Sequence, residues 1–98
     1  MSKIDIIGLG MNCIDCLIKV PSITDLSHRL VLDWSIQGGG KVATAMVAAA
    51  RLGARVSVLT KVGQDEAGDF VISDFKRYGV DVSKAIIQRG CNTSIVFV

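Results

Sequence analysis

Three glycines and a lysine, Gly38-Gly39-Gly40-Lys41, stand where an alanine-rich helical run begins. A helix start leaves backbone N–H groups without partners and gathers partial positive charge there. Most helices satisfy one of those donors with Ser, Thr, Asp or Asn at the N-cap. Here the cap region is all glycine, so the donors stay open and a ligand can approach the backbone unobstructed. Lys41 adds a charged donor. The chemistry this suits is ligand binding through N–H and ammonium groups. On the glycines alone, the alternative is a flexible turn that needs positive φ angles.

Spacing excludes one phosphate-binding loop and weakens another. A Walker A loop needs Gly-Lys followed by Ser or Thr, but Val42 follows Lys41 and the upstream glycine is absent. Gly8-Leu9-Gly10 begins like a dinucleotide fingerprint, yet Cys13 occupies the third glycine's place and no helix opens there. Cys13 and Cys16 form a C-x-x-C, a spacing that can bind metal or do redox chemistry. There is no second such pair, and His28 is the only histidine, so a four-ligand zinc site lacks donors. In extended chain, residues three apart also point to opposite faces. Cys91 reads as a small apolar filler, and His28, in a polar turn, as solvated.

The elements around these residues alternate between strand and helix. Lys3 to Leu9 predicts a buried, parallel strand, and Asn12 to Val20 continues extended until Pro21 ends it. Ser22 to Arg29 is polar and turn-like. Leu30, Leu32, Trp34 and Ile36 alternate with Val31, Asp33, Ser35 and Gln37, a period of two with one apolar face. The spacing of Val42, Met46, Ala49 and Gly53 predicts a helix from about Gly40 to Leu52, closed by Gly53. A strand from Arg55 to Lys61, with Val56, Val58 and Leu59 buried, precedes a helix that begins near Asp65. Val71, Phe75 and Tyr78 line one face of that helix, and Gly79 stops it. Ala85 to Gln88 and Thr93 to Val98 are further strand candidates. The alternation predicts an α/β fold with a mainly parallel sheet and right-handed crossovers.

Composition narrows the partners. With 98 residues, half of them hydrophobic, the chain is long enough for one small domain. That apolar content predicts that some of it faces a partner or further sequence. The net charge of +2 is spread along the chain without a basic cluster, which argues against nucleic acid. The longest mostly apolar stretch, Val42 to Ala50, is too short to span a bilayer, and Asp5 interrupts any signal-peptide core. A cytoplasmic location without structural disulfides is the expectation.

Taken in order, these motifs resemble the N-terminal signature of the ribokinase (PfkB-type) family of carbohydrate and nucleoside kinases. Gly39-Gly40-Lys41 with Ala43, followed by Ala48-Ala49-Ala50-Arg51-Leu52-Gly53-Ala54, is similar to the stretch that opens the family's sugar-binding helix. Gly63-Gln64-Asp65-Glu66-Ala67-Gly68 is similar to its Gly-x-Asp-x-x-Gly after the next strand. Gly8-Leu9-Gly10 with Asp15 resembles the first strand and its sugar-contacting aspartate. Ser22 to Gln37 looks like the β lid, and Thr93-Ser94 leading into Ile95 to Val98 resembles the strand after it.

The resemblance implies a Rossmann-like ribokinase fold, represented in part. Residues 1–98 would be its N-terminal substrate-binding part, with lid strands at about 16–37 and a candidate continuation at 85–98. It implies transfer of the γ-phosphoryl group of ATP to a sugar or nucleoside hydroxyl, with Mg²⁺ as cofactor and K⁺ left open. Asp15 would accept hydrogen bonds from substrate hydroxyls, and Gly39, Gly40 and Lys41 would contact substrate at the helix start, with Thr44 and Asn12 as further candidates. Thr44 stands where the family often has asparagine, and Val42 replaces a common glycine. No Gly-Ala-Gly-Asp stretch of the kind that carries the family's catalytic aspartate occurs before Val98. The ATP site, metal site and catalytic base are therefore expected outside this segment, which alone should not catalyse transfer. The alternative is a non-catalytic sugar-binding or dimerisation module, and Trp34 suits either lid packing or a lid–lid homodimer contact.

Overall fold

A computed structural model describes residues 3–24 and 30–98 of the chain. His28 and part of the predicted turn from Ser22 to Arg29 lie outside the described residues. The elements run β1 (Ile6–Leu9), β2 (Cys13–Lys19), β3 (Asp33–Gly39), α1 (Lys41–Arg51), β4 (Val56–Leu59), β5 (Lys61–Gly63), α2 (Glu66–Arg77), β6 (Ile86–Gln88) and β7 (Ile95–Phe97). The fold is α/β. β1 and β4 pair in parallel, as do β5 and β6; β2 lies between an antiparallel β3 and a parallel β7.

Glycine is what lets α1 lie close on the first sheet. A Cβ at Gly8 would strike Met46, and one at Gly10 would strike Val42. The two glycines of the would-be dinucleotide fingerprint are thus packing positions. α2 begins with Asp65 as N-cap, its side chain accepting from the Gly68 N–H, and ends with Lys76 and Arg77 at the negative end of the helix dipole. Between helices and sheets lies a core of Ile14, Ala43, Val56, Val58, Val62, Val71, Phe75 and Val80.

The structure departs from the periodicity in several places, and Leu59, expected to be buried, is exposed. The strand predicted from Arg55 to Lys61 is interrupted at Thr60, whose buried hydroxyl donates to the Gly10 carbonyl at 2.8 Å. On one side of it β4 stays with β1, and on the other β5 pairs with β6. β1 itself is not buried: only Gly8 is, while Ile6, Ile7 and Leu9 are exposed. A parallel strand is buried only when both of its faces are covered. β1 packs on α1 and, among the described residues, has a strand neighbour on one edge alone. The apolar positions of β3 are likewise open, with Trp34 65% exposed. A radius of gyration of 15.5 Å agrees, against about 13 Å for a compact chain of this length.

Candidate functional site

A cleft of about 230 Å³ opens between the β2–β3 pair and the two helices. β2 and β3 contribute Cys13, Asp15, Gln37 and Gly39; α1 contributes Thr44 and Arg51; α2 and its C-cap contribute Asp74 and Tyr78. It is smaller than the roughly 300–1,000 Å³ of pockets for drug-sized ligands, so it suits a monosaccharide-sized one. Its polar groups are two carboxyls, two hydroxyls, a thiol, an amide and a guanidinium, which complement a ligand rich in hydroxyl groups.

Register places Asp15. In the antiparallel pair, Asp15 lies opposite Gln37 and Cys13 opposite Gly39. The missing side chain of Gly39 leaves the space that the Asp15 carboxyl fills, since a Cβ there would overlap it. The chain then turns through Gly40, at φ 100°, directly into α1, which has no side-chain cap and no acidic residue in its first turn. Asp15 thus stands beside a helix start whose N–H groups have no side-chain partner. Gly38 has a parallel role toward α2, because a Cβ there would strike the Asp74 carboxyl. At the other end of the cleft the Arg51 guanidinium stacks 5.5 Å from the centre of the Tyr78 ring, which Arg77 approaches at 5.4 Å.

Of the residues singled out by sequence, Asp15, Gly39 and Thr44 line this cleft. Gly40 lies beneath it, packed on the Met11 carbonyl and the Asn12 backbone. Lys41 and Asn12 are not part of its lining. Lys41 is exposed at the first turn of α1, whereas Asn12 is buried. The Asn12 amide donates to Thr60 Oγ1 at 2.6 Å and to the Lys61 carbonyl at 3.0 Å, tying the loop after β1 to the break between β4 and β5. Gln37, Asp74 and Tyr78 belong to no motif, and Arg51 was read only as part of the stretch that closes α1. Asp74 and Tyr78, the C-cap of α2, are four apart, so their shared face was readable, but the sheet that face meets was not.

Cys13 and Cys16 are free thiols, and no group of three or more His, Cys, Asp or Glu among the described residues could hold a metal ion. The Cys13 thiol donates to Asp15 Oδ1 at 3.3 Å. Burial, then the hydrogen bond and charge of Asp15, push its pKa up to about 11. The thiolate is the nucleophile, so at pH 7 only about one Cys13 in 10⁴ is reactive. Alkylation with iodoacetamide followed by peptide mapping is expected to leave Cys13 unmodified at pH 7.5, with its rate climbing until the pH reaches about 11. Modification at pH 7.5 as fast as at the partly exposed Cys91 would overturn this account of the Cys13–Asp15 contact.

Residues 1–98 match the family model of the pfkB family carbohydrate kinases. The 2-dehydro-3-deoxygluconokinase of Thermoproteus tenax is 33% identical over 97 residues, covering 99% of this chain and 29% of that protein. The 5-dehydro-2-deoxygluconokinase of Clostridium perfringens is 46% identical over 84 residues, covering 84% of this chain and 23% of that protein. Among solved structures, the fructokinase with bound ATP from Xylella fastidiosa superposes with a TM-score of 0.78 at 31% identity, over 95% of this chain and 28% of that one. The chain therefore spans less than a third of the length of each of these relatives.

Proposed function

This chain belongs to the pfkB family of carbohydrate kinases, and on that footing we propose that it supplies the sugar-binding and lid part of an ATP-dependent phosphotransferase acting on an alcohol group. The observation that carries this is the seating of Asp15 against Gly39 at the uncapped start of α1. A carboxylate accepts from two neighbouring hydroxyls of a sugar, and the N–H groups from Gly39 to Lys41 donate to their oxygens. Thr44 adds a hydroxyl on the first turn of α1. Lys41, exposed on the first turn of α1, adds a charged donor, and Asn12 is the last candidate contact, its amide held by Thr60 and Lys61. Together these groups hold the acceptor in one orientation, which converts an encounter into a positioned reaction.

ATP, when bound, supplies the phosphoryl group. Residues of this chain are assigned to the acceptor alone, and this reading gives Mg²⁺ and K⁺ no ligand among them. The relatives named for gluconate derivatives put sugar acids beside neutral sugars as candidate substrates. A cytoplasmic location belongs to the same proposal; no helix among the described residues is long and apolar enough to cross a membrane.

A second role, as an association module, is favoured by the exposed apolar residues Trp34 and Ile36 of β3 and Phe97 of β7. Calorimetric titration with ribose, fructose, 2-dehydro-3-deoxygluconate and adenosine, on wild type and Asp15→Ala, tests the first role. Saturable binding of one ligand is expected, weakened by about 100-fold or more in the variant, because two charge-assisted hydrogen bonds at roughly 1.5–3 kcal/mol each are lost. Binding untouched by Asp15→Ala, or none in a chain shown by circular dichroism to be folded, would remove the assignment. A dimer in sedimentation velocity, without sugar binding, would favour the association module.

A further inference from the structure

We propose that Asp65 and Thr93 form a clamp that holds strand β7 against β2 and so positions Asp15 at the start of α1; the role of Asp15 rests on the acceptor-site proposal above. An N-cap needs one side-chain oxygen accepting from one helix N–H. Asp65 meets that need with its Oδ1, 2.7 Å from the Gly68 nitrogen. It then does more. The same Oδ1 accepts from the Thr93 hydroxyl at 2.7 Å, and Oδ2 accepts from the Thr93 N–H at 2.8 Å. The Thr93 hydroxyl in turn accepts from the Gly63 N–H at 2.9 Å. One buried hydroxyl, on a residue 7% exposed, therefore joins the end of β5, the start of α2 and the approach to β7.

The glycines of the Gly63 to Gly68 motif are explained by the same junction. A Cβ on Gly63 would strike the Cys91 carbonyl, and one on Gly68 would strike the Gly63 carbonyl. Both positions let the backbone pass at a distance that any side chain would prevent. The motif is thus built around the segment leading into β7, and none of the contacts of its Asp65 reaches the cleft.

From Thr93 the connection to the site is short. The next carbonyl, Ser94, accepts from the Ile14 N–H at 3.0 Å. Asp15 then pairs with Val96, and the ladder closes where the Val98 N–H donates to Cys16 at 2.9 Å and the Ile18 N–H donates to Val98 at 2.8 Å. β7 is bound to nothing else among the named strands. Loss of the clamp frees one edge of the strand that carries Asp15 and so shifts the Asp15 carboxyl, although Asp15 itself is not substituted. Asp65 and Thr93 act through that strand and are positioning residues.

Thr93 and Gly68 donate to the Asp65 carboxylate and hold its pKa below the ordinary aspartate value. A lowered folded pKa contributes stability that is present above the unfolded pKa and lost as pH falls through the folded one. The clamp should therefore hold at neutral pH and release in acid.

Amide hydrogen exchange on the chain, with the ¹³C resonance of the Asp15 carboxyl, tests this in Thr93→Val, Thr93→Ser and Asp65→Asn. Expected for Thr93→Val is exchange about tenfold or more faster at Ile14, Ile18 and Val98, with Val58 unchanged in the first sheet and the Asp15 resonance moved. Thr93→Ser, which keeps the hydroxyl, should restore both, and Asp65→Asn should reproduce the valine result. Equal acceleration at Val58 and β7 would mean general destabilisation and would overturn the clamp, as would an unmoved Asp15 resonance. If Thr93→Val does not fold, Asp65→Asn and the acid titration of wild type carry the same comparison. These signals are read without sugar, so a failed sugar titration strikes the acceptor proposal and leaves the clamp to be judged separately.

Discussion

Gly40→Ala should lower the stability of the chain by about 2–6 kcal/mol. A side chain at a φ of 100° sits in a region that L-residues rarely enter, at a cost of about 1–3 kcal/mol. The new Cβ would also lie 2.7 Å from the Met11 carbonyl oxygen and 2.9 Å from the Asn12 Cα. Both are backbone atoms, held by the Asn12 hydrogen bonds to Thr60 and Lys61, so neither can swing aside. Overpacking of this kind adds about 1–3 kcal/mol. The total is a large share of the roughly 5–15 kcal/mol that holds a domain together. Gly53→Ala is the internal control, since Gly53 has a φ of 102° but nothing within 4 Å of its would-be Cβ. It carries the backbone penalty alone, so the difference between the two variants in urea denaturation measures the contact with the loop before β2. Equal midpoints for the two would show that the loop yields and that this corner is not rigid.

Gly39→Ala should behave in the opposite way, keeping the fold and losing the ligand. The φ of Gly39 is not positive, so alanine is allowed there. What its Cβ meets is the Asp15 carboxyl, with Cγ at 2.6 Å and Oδ1 at 2.8 Å. A side-chain tip can rotate away where a backbone cannot, so the cost in stability is expected to stay within about 1 kcal/mol, as in tolerated repacking. The carboxyl is displaced from the start of α1, however, and the hydrogen bonds it would make to the sugar are lost with it. Sugar affinity should then fall as far as in Asp15→Ala, and the double variant should bind no worse than either single one, because both remove the same interaction. Calorimetry on the three variants decides it. Wild-type affinity in a folded Gly39→Ala would separate Asp15 from the ligand and end its assignment.

The contrast between these neighbouring glycines marks how far the sequence could be read. Gly38 to Lys41 stood out as an open helix start, and α1 and its uncapped N-terminus follow from local chemistry alone. Nothing local distinguishes Gly39 from Gly40, because what separates them is whether a side chain or a backbone lies opposite. Asn12 shows the same limit. As one residue of an extended run it resembled a ligand contact, yet its amide is engaged by Thr60 and Lys61, 48 and 49 residues away. Asp65, legible as a helix start, is legible as a clamp only once Thr93 is brought to it across 28 residues.

The sequence by itself determined the order and kind of the elements, the α/β class and the family. Periodicity, glycine punctuation and motif spacing are set by neighbours within a turn or a strand, and their physics is complete at that range. Only the tertiary structure decided where the strand after α1 breaks, which apolar faces stay open, and which polar side chains close on one another. Those outcomes depend on burial and on hydrogen bonds between distant segments, and a buried donor takes whichever acceptor the fold brings within reach.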